Sequence, residues 1–308
     1  MSTYDTGNMA WVMASGFVIV LMAPGIGLFY GGLVNKKNLL SIIGFTFLIF
    51  STSTLVWALV GFSLAFGYPT AAKGFIGDCS YCGLRDISNQ TVNRFSSTVS
   101  FPSFFFLEML YAGVAGVILV IPFVGRLRTI YLILISLSYQ LIIYSPITYW
   151  IRTSDGWMNI MGIIDFSGGT MVHLSSGFST LAVLYMLGSG NNQIQHQNSI
   201  STLSTLIGTI FIWFSSFGFN GAAALTSNTY ASVSLINTQL AAAGGALGWT
   251  FTQYLFTDRA KVTGWCSGIV CGLVSITPCS GFVSLWAAAV IGAISAIIVY
   301  IFCHIKSD

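Results

Sequence analysis

The stretch Asp165-Phe166-Ser167-Gly168-Gly169-Thr170-Met171-Val172-His173 decides how this chain is read. It opens an apolar run that continues to about residue 188, and so places an imidazole inside a segment suited to hydrocarbon. Ionisable groups are costly there; where retained, they face a pore, a cavity or a partner. The chain has 3 histidines in all. His196 falls in a polar loop and His304 near the extreme end, so His173 alone is expected deep in a span. In a continuous helix, at about 1.5 Å per residue, His173 lies roughly 12 Å below Asp165. With Asp165 at one membrane face, the histidine then reaches the midplane.

Composition generalises this reading. Of 308 residues, 55% are hydrophobic and 6% charged, where a soluble domain carries roughly a quarter charged residues. The fold class is an all-α polytopic membrane protein. Apolar runs near 9–33, 39–66, 101–124, 128–150, 166–188, 202–225, 234–256, 262–277 and 282–303 predict about nine spans, the eighth short and ending at Pro278. A transmembrane barrel is excluded, because its strands would be about 10 residues long with alternating polarity. A net charge of +3 without a Lys/Arg cluster excludes a nucleic-acid partner. No nucleophile–base set or metal cluster stands among the few polar membrane residues, so neither an enzyme nor a cofactor is expected.

Basic residues orient the spans. Lys36, Lys37, Arg126, Arg128, Arg259, Lys261 and Lys306 fall on one side, which is predicted to be cytoplasmic. Lys73, Arg85, Arg94 and Arg152 fall on the other, mixed with Asp5, Asp78, Asp86 and Asp155. The N-terminus is then outside and the C-terminus inside, and no removable signal peptide is expected. The segment 67–100 is the one long polar loop, read as extracellular, with a sequon at Asn89-Gln90-Thr91. Its Cys79 and Cys82 form a disulfide, stay inert, or make a metal half-site that lacks its other ligands. Cys266, Cys271, Cys279 and Cys303 read as small buried hydrophobes. Most of the 33 glycines lie inside spans, where small residues let membrane helices approach closely.

Several strings, in order along the whole chain, resemble the ammonium transporter family (Amt/Mep, with the more distant Rh proteins). They are Ala23-Pro24-Gly25-Ile26-Gly27-Leu28-Phe29-Tyr30-Gly31-Gly32-Leu33, Val60-Gly61-Phe62-Ser63, the 165–173 stretch, Phe217-Gly218-Phe219-Asn220-Gly221, Asn237-Thr238, and Ile276-Thr277-Pro278-Cys279-Ser280-Gly281. The resemblance implies one membrane domain over 1–308, a plasma-membrane location, a homotrimer, and an inverted repeat of five helices. It implies ammonium or ammonia as substrate, recruited in an outer vestibule, passed through an aromatic gate, and handed along pore histidines. By resemblance His173 is the first pore histidine. Asp165 is the aspartate at the outer end of that helix, either capping and supporting the pore or touching the cation. Phe219 and Tyr111 are the gate rings, with core packing as the rival for Phe219.

The sequence departs from the family pattern at several places. The vestibule tryptophan position holds Arg152, with Trp150 two residues away and able to substitute after a local shift. The vestibule serine position holds Ala223. Glu108 stands where a neutral polar residue is usual, and is either a vestibule carboxylate compensating Arg152 or a residue turned towards an interface. The sequence ends where the family's tenth helix, with the second pore histidine, and its eleventh would follow, so the second repeat is expected to be incomplete. That is read as a truncated sequence, with a split or shortened gene and a working nine-helix product as alternatives. A non-conducting ammonium sensor is the rival function.

Overall fold

The computed structural model describes residues 4–34, 36–70, 74–88, 93–188 and 201–305. The sequon 89–91, His196, Lys73 and Lys306 lie outside them. Helices dominate, and the only extended pairings among the described residues are the isolated bridges Pro69–Gly77 and Val124–Leu127.

Nine long rods run through the described residues. They are α1 (Thr6–Leu33), α2 (Leu39–Phe66), α3 (Phe101–Val120), α4 (129–152), α5 (Gly169–Leu187), α6 (Thr202–Ala222), α7 (Thr229–Thr257), α8 (Val262–Ile276) and α9 (Leu285–Ile305). Eight are long and apolar enough to cross a membrane; α7 is not among them. Its 29 residues suffice in length. Its hydropathy is lowered by Ser234, Asn237, Thr238, Thr252 and Gln253, all buried inside the bundle. A helix shielded by protein need not be apolar.

Small residues set the closest crossings. A Cβ on Gly245 would strike the backbone of Gly268 and Gly272 on α8, and one on Gly244 or Gly248 would strike the backbone of α9 at Ala289 or Ala293. These glycines let α7 lie against both neighbours, the usual means of membrane helix packing. At the centre, α3 is enclosed: Leu107, Glu108, Leu110, Tyr111, Val114 and Val117 are all buried.

Three π-helical turns interrupt the rods, at Trp57–Gly61, Gln140–Tyr144 and Gly169–Leu174. Such turns free backbone carbonyls and cluster at functional regions. At the second, Gln140 O accepts both the Ser145 amide and the Ser145 hydroxyl, the latter at 2.8 Å.

The start of α5 differs from expectation. The helix begins at Gly169, not Phe166, and Asp165 lies in irregular chain ahead of it. Phe166 N donates to Pro278 O (2.8 Å) and Ser167 N to Thr277 O (3.3 Å), so these amides are committed across the bundle. Gly168 then turns the chain with φ +82°, a left-handed conformation that suits glycine. The uninterrupted helical descent from Asp165 to His173 therefore does not occur.

In the 67–100 loop Cys79 and Cys82 are joined in a disulfide. Asp78 organises the same turn, its Oδ1 accepting from Tyr68 N, Ser80 N and the Ser80 hydroxyl. Burial alone would raise the Asp78 pKa, but these hydrogen bonds and the nearby Arg94 charge outweigh it and hold the carboxyl below its usual range. Of the other cysteines, Cys266 is buried, Cys271 and Cys279 partly so, and Cys303 is exposed.

Candidate functional site

At the end of the bundle that carries the 67–100 loop, a cup of about 340 Å³ opens. Its wall includes Phe66, Phe104, Leu107, Glu108, Arg152 and Ala223. Glu108 comes from the enclosed helix α3 and is 1% exposed. Arg152 is the last residue of α4; its Nη2 lies 3.6 Å from Glu108 Oε1, and its Nη1 donates to Phe166 O at 3.2 Å. Glu108 thus faces into the protein's own cup rather than towards an outer surface. Ala223 caps the end of α6 and brings no hydroxyl.

Trp150 is not part of the cup wall. Its Nε1 donates to Phe75 O at 2.7 Å and its ring packs on Phe75 and Trp157. The last turns of α4 are regular up to Arg152. The register therefore aims the guanidinium, and not the indole, into the cup.

One helical turn below Glu108 on α3 stands Tyr111. Its ring centroid is 4.3 Å from that of Phe219 on α6, and its hydroxyl donates to the Phe219 carbonyl at 2.8 Å. Both rings are 1% exposed or less. Regular α-helix around each residue holds the pair in place beneath the cup.

Below the pair is a second cavity of about 170 Å³, lined by Met22, Ile26, His173, Phe219, Asn220 and Val270 among others. The His173 ring lies 5.8 Å from that of Phe219, tilted 31°. Neither imidazole nitrogen has a hydrogen-bond partner among the described residues, so the ring is not a core histidine satisfied by a neighbouring helix. Asn220 donates to the Thr238 hydroxyl at 2.9 Å, while its Oδ1 is buried without a partner.

Asp165 supports this wall from behind. Its Oδ2 accepts from Thr170 N at 2.9 Å and Met171 N at 3.4 Å, satisfying free amides at the start of α5. The geometry is that of a capping carboxylate, five and six residues ahead of the amides it meets. A hydroxyl relay of Ser167, Ser280 and Ser234, together with Asn237 bonded to Ser280 O and Val283 O, fixes the 277–283 segment against α5 and α7. The sequence marked Asn237 and Ser280 only as parts of motifs; their bridging needs the tertiary fold to be seen.

Cup, aromatic closure and histidine cavity lie in one order through a helical membrane bundle, which defines a membrane protein with a closed, largely apolar path. The chain belongs to the ammonium transporter family, whose model matches residues 10–308. It is 34% identical over 300 residues to the ammonium transporter MEP2 of Saccharomyces cerevisiae, covering 95% of this chain and 59% of that protein. It is also 34% identical to an ammonium transporter of Aquifex aeolicus, covering 96% of this chain and 69% of that one. The crystal structure of Saccharomyces cerevisiae Mep2 superposes with a TM-score of 0.87 at 33% identity, covering 96% of this chain and 66% of that one. A solved sensor Amt protein superposes at 0.86 with 29% identity, covering 96% of this chain and 74% of that one. The chain therefore spans about three fifths of the length of the yeast relative, 59%.

Proposed function

We propose that this chain carries a path for ammonium or ammonia across a membrane. The observation that bears most weight is the alignment of two cavities on either side of the Tyr111–Phe219 pair, with His173 open to the inner one. The relatives, named as ammonium transporters, support the substrate. The physics supports a proton-sharing passage. A bare cation pays heavily to enter an apolar constriction. An imidazole with free nitrogens offers an acceptor to ammonium, and a donor to the ammonia left once the proton is given up, at the point where water is scarce.

In this reading Glu108, Arg152 and Ala223 form the recruiting vestibule, Tyr111 and Phe219 the gate, and His173 the first proton-handling group, with Asp165 holding its helix. The cup lies at the end bearing the 67–100 loop, opposite the basic loops, which supports an outside N-terminus in the plasma membrane. A homotrimer is part of the same proposal. The test is expression in a cell lacking its own ammonium transporters, with growth on limiting ammonium and uptake of labelled methylammonium. Growth and saturable uptake are expected; neither, at confirmed surface expression, refutes transport.

Arg152 favours a second reading. A fixed cation in the vestibule opposes recruitment of another, and the likeness to a sensor Amt protein supports a chain that binds ammonium without conducting it. Binding to the purified protein without uptake would select that reading.

A further inference from the structure

Glu108 is a carboxylate that its own protein leaves incomplete. It is 1% exposed and lines the cup. The nearest cation, Arg152 Nη2, stands 3.6 Å from Oε1, beyond hydrogen-bond length. Oε2 is buried and accepts nothing among the described residues. Arg152 is equally unfinished: Nη1 donates to Phe166 O, while Nε is buried without an acceptor. The other arginine of the cup is committed elsewhere, with Arg94 Nη2 donating to Phe66 O at 2.6 Å and the guanidinium stacked on Tyr68.

A buried ion pair is stable only when good geometry and further hydrogen bonds complete it. Here both partners keep unmet polar atoms beside a cavity with room for a small ion. Phe66, Phe104 and Leu107 make part of the cup wall apolar and keep the local field strong, while Thr153, Ser154, Asp155 and Asn159 line the remainder. Neither an indole nor a hydroxyl from Trp150 or residue 223 reaches this space.

The geometry points to Glu108 as the cation ligand of the cup. An ammonium ion binds its carboxylate through charge-assisted N–H···O bonds, and Arg152 sets the affinity by competing for the same oxygens. The assignment rests on the cup being the entry of the proposed path. It makes recruitment a matter of ion exchange at a carboxylate rather than of stacking on a ring. Arg152 then acts as a built-in competitor that keeps the empty cup neutral.

The test is calorimetric titration of the purified detergent-solubilised protein with ammonium chloride at constant ionic strength. Glu108→Gln is expected to weaken binding roughly 10- to 100-fold, the range for a hydrogen bond to a charged group. Glu108→Asp should recover part of it, and Arg152→Gln should tighten binding. Because a lone buried charge can unfold the protein, the paired variant Glu108→Gln with Arg152→Gln provides the second arm. It leaves no unpaired charge and, with the carboxylate gone, should still bind more weakly than the unsubstituted protein. Unchanged affinity in the single Glu108→Gln variant or in the paired one, or no binding by the unsubstituted protein, overturns the assignment. Uptake on the same variants separates the two proposals. Binding lost with Glu108→Gln in a protein that never conducts refutes the path and leaves the assignment standing. Uptake whose KM ignores Glu108→Gln refutes the assignment and leaves the path standing.

Discussion

Tyr111→Phe should speed passage through the gate. The substitution deletes one oxygen and leaves a ring at the 4.3 Å contact with Phe219, so packing is kept. What is lost is the 2.8 Å bond from the Tyr111 hydroxyl to the Phe219 carbonyl. Swinging the Tyr111 ring aside breaks that bond, because its acceptor is the fixed backbone carbonyl of Phe219, so it stabilises the closed gate against the open one. A typical buried hydrogen bond contributes about 0.5–1.5 kcal/mol net. Its removal should raise the open population roughly two- to tenfold, since about 1.4 kcal/mol is a factor of ten. Maximal uptake rises by that factor if gating limits it. Apparent KM should hold, because Glu108 lies a full turn above. The orphaned Phe219 carbonyl costs about 1–3 kcal/mol of stability, so the melting temperature should fall. The assay is ammonium flux into proteoliposomes at saturating and sub-saturating substrate. Unchanged or lower maximal flux, or a moved KM, would show that the hydroxyl does not latch the gate.

Other consequences follow from particular contacts. Gly245→Ala and Gly268→Ala force a Cβ into facing backbone and should each lower stability by about 1–3 kcal/mol. Gly177→Ala, with open space around it, should be tolerated; fluorescence-detected gel filtration after heating reads both. Asp78 has a folded pKa below its ordinary value, so its stabilisation is present at neutral pH and is lost as pH falls below about 4. Asp78→Asn should therefore flatten the acid limb of the melting curve, and an unaltered limb would discount the turn. An Arg85→Cys variant with Cys79 and Cys82 changed to serine should label from outside intact cells, since residue 85 is exposed on the loop. Labelling only after permeabilisation would invert the topology. Asn93 would be a poor choice, being 5% exposed and bonded to Val99 O.

The spans were legible because hydrocarbon selects apolar runs of a set length, and most lie within a few residues of the observed rods. The pattern was least direct at α7, whose polar Asn237 and Thr238 donate hydrogen bonds inside the bundle. The break at 165–168 was hidden, since it depends on amides bonding to a distant segment at Thr277 and Pro278 and on a left-handed glycine. π-helical turns left no trace that hydropathy can show. At the site, residue types and order were readable, but not which side chains meet. Whether Trp150 or Arg152 enters the cup is a question of helix register within one turn. Likewise the facing of Glu108 and Arg152 joins α3 to α4 and has no local signal.

The most direct test of the account is flux through His173. Reconstituted protein with and without His173→Ala, at equal density, is exposed to an ammonium pulse while internal pH and net current are followed. The account predicts that the unsubstituted protein passes ammonium nitrogen and that His173→Ala abolishes or sharply reduces it, with ammonium still retained at the cup in binding assays. Equal flux from both proteins would contradict it, because the path would then not run past the histidine.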